Sequence, residues 1–544
     1  MLGFVVRKFL GWPHSSASGS LPDYSERDSV VLDIVVIVLY ILLMLGVGYW
    51  GYRRTKSHSD YLVAGRRLGT FMYASTLSAL VLGGASLVGG IGLGYKWGIS
   101  GAWLVTAIAL GVLLLSALLA KRLTKLRIYT VSQMLDLRYG GRSAGFSGTV
   151  MFLYTFMLAV TSTLAYATVF HVLFGWETWV GILVGGVVVV LYSSLGGMWS
   201  ITITDMAQFI VTTVGVFAVL LPMALINAGG YDAIVTRLGD SFASPFAIGG
   251  STIVTYIVIY TLSLLIGQDI WQRVFTARTP AIAQRGGIGA GVYCLVFGIV
   301  GAIIGMAAHA LLPDLEKPDQ AFAAIVEATL PHGIRGLVLA AGLAAMMSTA
   351  SGALIAASTV FTADLLPLMF RRFRGNAVDA AAGTSAEDAG HGDEFGLRGF
   401  RGSMMVIGAA VVVTAMSLDS VVGALTIAYN ILVGGLLVPI IGGIVWKRAT
   451  RIGAYAAIIA GAVAVIVGML IWGDLANEPI YVGLGASAIA FVIASLVSKP
   501  TPEAVMTEWR QRLARGDHDD LSLDTATVAA GQFEHLATET VPKR

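Results

Sequence analysis

Long apolar runs separated by short polar segments make up most of this chain. A bilayer core about 30 Å thick is crossed by roughly 20 apolar residues in a helix, so runs of that length predict membrane spans. Thirteen such runs are present, at 31–52, 70–94, 98–120, 146–173, 177–195, 203–226, 250–272, 288–312, 337–366, 403–417, 420–446, 452–472 and 480–497. The pattern predicts an all-α polytopic membrane protein with about 13 transmembrane helices.

Composition agrees with this prediction and excludes several classes of protein. Hydrophobic residues make up 56% of the 544 positions and charged residues only 12%, and the mean hydropathy is +0.80. Too few charged side chains are present to cover soluble domains, so most apolar surface must face the lipid bilayer. The net charge of +3 argues against nucleic acid as a partner, and the single cysteine, Cys294, cannot form an internal disulfide.

The distribution of basic residues predicts the orientation. If the N-terminus lies outside, 28 of the 35 Lys and Arg fall on the cytoplasmic side, as the positive-inside tendency requires. We therefore expect a multi-pass protein of the cell (inner or plasma) membrane with the C-terminus in the cytoplasm. The flanking segments are interpreted as an extracellular or periplasmic arm (1–30), a cytoplasmic loop (371–402) and a cytoplasmic tail (499–544) with a short helix near 506–513.

The second apolar run is unusually rich in glycine. Six glycines fall within half a helix, at Gly83, Gly84, Gly89, Gly90, Gly92 and Gly94. Each weakens a helix by about 1 kcal/mol, so a locally unwound segment is one interpretation, and its freed carbonyls could bind a cation. Close packing of helices through small residues is the alternative, and glycine content alone favours neither.

The number of spans suggests an internal repeat. After an extra first helix (31–52), the next ten spans divide into five (70–228) and five (250–446), and two accessory helices (452–498) follow. Because five is odd, the two halves enter the membrane from opposite sides. This 5+5 inverted repeat is the usual plan of secondary transporters that bind their cargo at mid-depth.

Hydroxyl side chains are ordered on the ninth span. Ala345, Ser348, Thr349 and Gly352 follow one another at i, i+3, i+4 and i+7, on one stripe of a helix, with Ser351 beside them. Hydroxyls and unpaired carbonyls are hard oxygen ligands that suit Na⁺ without adding buried negative charge. Bonds from Ser and Thr to carbonyls of their own helix are the structural alternative.

Four spaced motifs resemble the sodium:solute symporter family, which includes sugar, proline, pantothenate, monocarboxylate and choline transporters. They are YLVAGRRLG (61–69), LYSSLGGMWSITITDMAQ (191–208), GQDIWQR (267–273) and MMSTASG (346–352). The resemblance implies a leucine-transporter-type fold, alternating access and Na⁺ as the coupling ion. The implied sodium ligands are the carbonyls of Ala79, Leu82 and Ala345 and the hydroxyls of Ser348 and Thr349. The motifs do not identify the solute, the sodium stoichiometry or the oligomeric state.

Some members of the family have a second sodium site, or an ion exit path, close to these motifs. The corresponding residues are Asp205 and Ser351, but Gly352 stands where a second hydroxyl would be expected. A complete second site is therefore in doubt.

Two acids lie within or at the edge of apolar spans, where an unpaired carboxylate costs at least about 2.5–3.5 kcal/mol. Asp205 could receive a departing ion near the cytoplasmic side, cap the sixth span, or pair with Arg273. Asp269 could counter a cationic solute, carry a proton, or form a salt bridge with Arg273 at i+4, which we place first. A proton-coupled carrier using Asp205 or Asp269 is thus an alternative to sodium coupling.

The solute cavity is expected between the second, fourth and seventh spans. Polar and aromatic residues there and on the eleventh span are candidates for solute contact: Ser86, Tyr166, Tyr256, Tyr260, Ser263, Gln268, Asp269, Thr426, Tyr429 and Asn430. By an approximate alignment, residues that sugar-transporting relatives use are missing, so a small carboxylate or an amine is favoured over a sugar. No metal, nucleophile or nucleotide motif supports a membrane enzyme or sensor.

Overall fold

The computed structural model describes residues 24–55, 57–140, 144–368, 389–418, 420–473 and 476–516. All regular structure in these ranges is helical, apart from one isolated parallel bridge between Leu68 and Ala277. The helices of six or more residues are α1 (Tyr24–Arg54), α2 (His58–Val63), α3 (Thr70–Val81), α4 (85–97), α5 (103–126), α6 (Val131–Tyr139), α7 (Ala144–Phe174), α8 (Thr178–Ala228), α9 (Tyr231–Leu238), α10 (Gly250–Leu264), α11 (Gln268–Val274), α12 (Pro280–Leu311), α13 (Ala321–Thr329), α14 (Ile334–Leu368), α15 (Ala389–Ala415), α16 (Val421–Val445), α17 (Arg451–Trp472), α18 (Glu478–Val497) and α19 (Glu503–Leu513).

These helices account for the predicted spans. Nine continuous helical stretches in the described residues are long and apolar enough to cross a membrane. Gly98 divides one of them into α4 and α5, and Gly197 bends α8 sharply, because both glycines have positive φ. The bent pair α10–α11 and the shorter apolar segment Gly399–Ala415 of α15 supply two more, with α3 and α4 together forming one span. The total is thirteen, as the apolar runs predicted.

Both five-helix sets begin with an interrupted helix. The first is broken between α3 and α4, where Leu82 leaves helical geometry with φ −92° and ψ 52°. The second is broken between α10 and α11, which are bent by 48°. Non-helical backbone at membrane depth is tolerated only where protein or a water-filled cavity surrounds it. Matching breaks in the two sets are what an inverted repeat predicts.

Helix α14 lies at the centre of the fold. Its most apolar window is entirely buried, whereas only 28% of the corresponding windows of α1 and α18 is buried. Helix α14 packs against α7 and α8, and α12 packs against α3, α4 and α5. The central position of α14 places its small and hydroxyl side chains against other helices and away from lipid.

The extra first helix is attached to this centre through a buried carboxylate. Asp33 Oδ1 accepts hydrogen bonds from the backbone N–H groups of Gly333 (2.7 Å) and Gly336 (2.8 Å) at the start of α14. Its Oδ2 accepts from Arg335 Nε at 2.7 Å. Because the first N–H groups of a helix have no partner within that helix, Asp33 acts as a cap supplied by another helix.

Two segments differ from the predicted boundaries, and a third agrees with the prediction. Residues 371–402 were predicted to be a loop, but α15 begins at Ala389, and the preceding 369–388 lie outside the described residues. Helix α1 begins at Tyr24, so only 1–23 of the predicted arm lies outside the described residues. The expected tail helix is present as α19, and Trp509 is buried against the C-terminal end of α5.

We predict that Gly197→Ala destabilises the protein by about 1–3 kcal/mol, because φ +57° with ψ −144° is strained for any residue with a Cβ. An added Cβ would also lie 2.6 Å from the ring of Tyr61. The apparent unfolding temperature of purified protein in detergent should fall. Gly289 of α12 has nothing within 4 Å of an added Cβ, so Gly289→Ala should leave that temperature unchanged or raise it. Equal effects of the two substitutions would contradict the assigned bend.

Candidate functional site

The break between α3 and α4 lies against the middle of α14. A Cβ added at Gly83 would fall 2.0 Å from Thr349 Oγ1, so α14 can approach this closely only because residue 83 is glycine. Ser86 Oγ donates a hydrogen bond to the Val81 carbonyl at 2.9 Å and thereby bridges the break. Gly83 of the glycine-rich run therefore allows the broken segment to lie against α14. Others serve packing, since a Cβ at Gly94 would fall 2.6 Å from the Ala302 carbonyl oxygen.

Two hydroxyls of α14 meet the last carbonyls of α3. Ser348 Oγ lies 2.5 Å from the Ala79 carbonyl oxygen and 2.9 Å from that of Ala345. Thr349 Oγ1 donates to the Leu80 carbonyl at 2.5 Å, and both side chains are buried. Oxygens of three predicted ligands, Ala79, Ala345 and Ser348, thus converge, while Thr349 contacts Leu80 rather than Leu82.

Ser351 and Gly352 lie one turn further along α14. Ser351 Oγ donates to the Ser348 carbonyl at 3.0 Å. A Cβ at Gly352 would fall 2.3 Å from Leu80 Cδ1 and 3.1 Å from the Arg273 guanidinium. The position where a second hydroxyl was expected therefore has no room for a side chain.

Asp205 and Arg273 form a completely buried ion pair. Asp205 Oδ2 accepts from Arg273 Nη2 at 2.9 Å and from Thr76 Oγ1 at 2.6 Å, and both charged side chains have zero exposure. The pair joins α8 to α11, and Thr76 adds α3. The salt bridge between Asp269 and Arg273 that their i+4 spacing predicts is not formed, and that prediction is wrong, because Arg273 pairs with Asp205 on α8.

Asp269 instead faces α7. Its Oδ1 accepts a hydrogen bond from the Tyr154 hydroxyl at 2.7 Å. Within the described residues, no Lys, Arg or His side chain forms an ion pair with this carboxylate. Asp269 is 3% exposed, and its neighbours leave its charge without a permanent counter-ion.

A cavity lies beside the break and contains Asp269. Helices α3, α4, α5, α7, α10, α11, α14 and α16 contribute its lining: Leu80, Val81, Gly83, Ala85, Ser86, Ile108, Leu158, Thr161, Ser162, Leu264, Asp269, Ile270, Thr349, Leu425 and Tyr429. Three predicted solute contacts, Ser86, Asp269 and Tyr429, are in this set. Thr349, predicted as a sodium ligand, is there as well.

Other predicted solute contacts have structural partners away from the cavity. Ser263 Oγ bonds the Ile259 carbonyl of its own helix. Gln268 is fixed by backbone, because its Oε1 accepts from Val131 N at 2.8 Å and its Nε2 donates to the Tyr129 carbonyl at 2.9 Å. Tyr166 packs on α8, where only glycine at position 185 leaves space for its ring.

The remaining candidates are buried or half-buried side chains that contact other parts of the protein or have no hydrogen-bond partner among the described residues. The Tyr260 hydroxyl and Thr426 Oγ1 are 3.0 Å apart and bond each other. Half-buried Tyr256 packs edge-on against Tyr260, with ring centroids 5.2 Å apart. Asn430 is completely buried, and its amide atoms have no hydrogen-bond partner within the described residues. None of these side chains is in the cavity lining.

Sequence reasoning missed most of the lining, including every lining residue on α7, α5 and α10. Thr161 and Ser162 of α7 are the polar ones, and they belong to the run TST at 161–163, which was a visible signal. The apolar Leu158, Ile108 and Leu264 complete the wall. Apolar residues on a transmembrane helix give no sequence signal, because the lipid-facing side has the same composition.

The segment before α3 is hydrogen-bonded to the segment after α11. Leu68 N donates to the Thr276 carbonyl, and Arg278 N donates to the Leu68 carbonyl, both at 3.0 Å. Arg66, in the loop before α3, donates to the Ile128 carbonyl at 2.9 Å and the Phe275 carbonyl at 3.3 Å. Burial lowers the pKa of Arg66 to about 10, so its guanidinium remains charged at neutral pH. The two half-helices next to the cavity are thus connected as one unit.

Known proteins share this sequence pattern and this fold. A family model described as the sodium:solute symporter family matches residues 61–461. The chain is 28% identical to the high-affinity proline transporter PutP of Bacillus subtilis over 350 residues, which are 60% of this chain and 72% of that protein. It is 26% identical to a high-affinity choline transporter of Caenorhabditis elegans, covering 63% of this chain and 64% of that one.

A solved structure agrees with this assignment at the level of the fold. The substrate-bound outward-open state of a Na⁺-coupled sialic acid symporter superposes with a TM-score of 0.73 at 20% identity, covering 87% of this chain and 98% of that one. The broken helices, the contact between α3 and α14 and the motif match over 61–461 lead to one conclusion. This chain belongs to the sodium:solute symporter family.

Proposed function

We propose that this protein couples the entry of Na⁺, bound between the broken helix α3–α4 and α14, to the uptake of a small organic solute. One observation carries the proposal: Ser348 and Thr349 of α14 contact the carbonyls of Ala79 and Leu80 in the last turn of α3. Hydroxyl and carbonyl oxygens from two helices are the donor set of a Na⁺ site. The predicted ligands remain Ala79, Leu82, Ala345, Ser348 and Thr349.

The chemistry of these oxygens favours an alkali ion. They are hard and uncharged, so a monovalent cation would be bound without a buried carboxylate. The hydroxyl protons of Ser348 and Thr349 lie between oxygens that would otherwise repel one another. A bound Na⁺ would take over that role as the hydroxyls rotate their lone pairs toward it. Moving one charge inward supplies about 2.3 kcal/mol per 100 mV of membrane potential.

We propose alternating access in which α3 and α11 close the cytoplasmic side. The bridge between Leu68 and Ala277 and the contacts of Asp205 with Thr76 and Arg273 support movement of these half-helices together. Because the basic loops favour N-terminus outside and C-terminus in the cytoplasm, this end of the molecule faces the cytoplasm. The protein would then work in the inner or plasma membrane.

Asp205 and Ser351 remain candidates for a second ion or for ion release. Ser351 contacts the carbonyl of Ser348, and Asp205 Oδ1 has no hydrogen-bond partner in the described part of the chain. Gly352 leaves such a site one hydroxyl short. A proton-coupled carrier is the alternative, and vesicles without sodium that carry a pH gradient separate the two, because uptake there requires protons alone.

We expect Ser348→Ala and Thr349→Ala to weaken Na⁺ binding by at least about tenfold each, since each removes one hard oxygen from a site with few ligands. The measurement is the Na⁺ concentration that gives half of the maximal stabilisation of the purified protein against heat. Thr349→Ser, which keeps the hydroxyl, should bind Na⁺ more tightly than Thr349→Ala.

Ser358 provides the matched control. It is a buried serine of α14 whose hydroxyl contacts the Phe400 carbonyl and Ser403, away from the proposed site. Ser358→Ala should leave the half-maximal Na⁺ concentration unchanged. If Ser348→Ala and Thr349→Ala also leave it unchanged, the assigned sodium site is wrong.

We predict strong coupling between Asp205 and Arg273. Asp205→Ala would leave a buried guanidinium unpaired and lower the free energy of unfolding by about 3–5 kcal/mol. The double variant Asp205→Leu with Arg273→Met should lower it far less than the sum of the effects of Asp205→Leu and Arg273→Met made singly. Unfolding of the purified variants measures this difference. The exposed pair Glu503–Arg510 of α19 should show a coupling of about 0–1 kcal/mol. Additive effects at Asp205 and Arg273 would contradict the buried ion pair.

A further inference from the structure

The cavity contains a single acidic side chain. Of its fifteen lining residues, Asp269 alone is ionisable in the physiological range, and the others are apolar or carry hydroxyls. Tyr154 donates one hydrogen bond to Asp269, which orients the carboxylate but leaves its charge in place. None of the described residues that line this cavity has a positively charged side chain.

The two intramembrane acids near the site differ in this respect. Asp205 has Arg273 as a permanent counter-ion at 2.9 Å. Asp269 lies on the same short helix as Arg273, one turn earlier, yet the guanidinium forms its ion pair with Asp205. An unpaired carboxylate in the membrane interior costs at least about 2.5–3.5 kcal/mol and marks a functional position. A cation that enters the cavity would offset this cost.

Aromatic rings border the carboxylate. The ring of Tyr429 lines the cavity, with its centroid 5.6 Å from those of both Tyr154 and Tyr260. A cation over the face of a tyrosine gains about 0.5–2 kcal/mol, most when it is desolvated. A carboxylate close to tyrosine rings is an environment that suits an organic ammonium group.

The geometry of the carboxylate also depends on a glycine. A Cβ at Gly267 would fall 2.9 Å from Asp269 Oδ1 and 3.0 Å from the Tyr154 hydroxyl. The break between α10 and α11 thus brings the acid and its tyrosine together without an intervening side chain.

We propose that Asp269, held by Tyr154 and bordered by Tyr429, binds a positively charged nitrogen of the solute, so that the transported compound is a small organic cation. This inference rests on the proposed function, because it assigns the solute class of the same cavity. The hydroxyls of Ser86, Thr161 and Ser162 would contact polar groups elsewhere on the solute, and the apolar wall would exclude water from the ion pair.

The test is a thermal-shift titration of the purified full-length protein at fixed sodium with five probes. Tetramethylammonium and choline serve as cations, lactate as an anion, proline as a zwitterion and glucose as a neutral solute. We expect at least one cation to raise the unfolding temperature while the other three do not. In Asp269→Asn, which keeps the size and the acceptor for Tyr154, the half-maximal cation concentration should rise at least tenfold. Tyr154→Phe, which keeps the charge, should have a smaller effect.

Asp364 provides the control for removal of a buried acid. It lies on α14, accepts a hydrogen bond from Thr130 at 3.0 Å and is outside the cavity lining. Asp364→Asn should bind the cation with the wild-type half-maximal concentration, whatever its own unfolding temperature.

The outcomes separate this inference from the proposed function. Stabilisation by Na⁺ without any probe tests the sodium site, and its absence in the wild type would overturn the proposed function. If Na⁺ stabilises but neither cation does, if lactate, proline or glucose does so instead, or if Asp269→Asn binds the cation as the wild type does, the assignment of a cationic solute is wrong.

Discussion

The structure depends on the requirement that backbone polar groups in a membrane find partners within the protein. At the end of α3 the helix stops in mid-membrane, and its last carbonyls meet the hydroxyls of Ser348 and Thr349. That contact needs glycine at position 83, because any side chain there would collide with Thr349. The same interruption that costs helical hydrogen bonds therefore creates a cluster of oxygens between two helices. A symporter can use this cluster because an ion satisfies the oxygens as well as a hydroxyl proton does.

Buried acids also need partners within the protein, and Asp205 and Asp269 have different ones. Asp205 is matched by Arg273, and the pair fastens α11 to α8 while Thr76 fastens α3. Asp269 accepts a hydrogen bond from the Tyr154 hydroxyl and forms no ion pair within the described residues. A matched pair contributes to the arrangement of helices, whereas an unmatched acid in a cavity contributes a binding preference. The two acids lie near each other in the fold, yet their neighbours give them different roles.

The fold was largely predictable, and the site was predictable in part. Apolar runs determine the thirteen spans, because length and composition are sufficient to identify a helix in lipid. The stripe of Ala345, Ser348 and Thr349 was visible as a helical spacing. The direction of Arg273 was not, since a residue one turn from Asp269 can point to either of two neighbouring helices. Gln268 also binds backbone in place of solute, because its partners at Tyr129 and Val131 lie 137 or more positions away in sequence.

Coupling between ion and solute follows from the residues that the two sites share. Thr349 is a proposed sodium ligand and also lines the cavity, and Leu80 and Gly83 of the break line it too. Capture of Na⁺ would withdraw the Thr349 hydroxyl proton from the Leu80 carbonyl and fix the separation of α3 and α14. That separation sets the shape of the cavity wall opposite Asp269. An ion can therefore favour solute binding without touching the solute, because both require the same position of the broken helix.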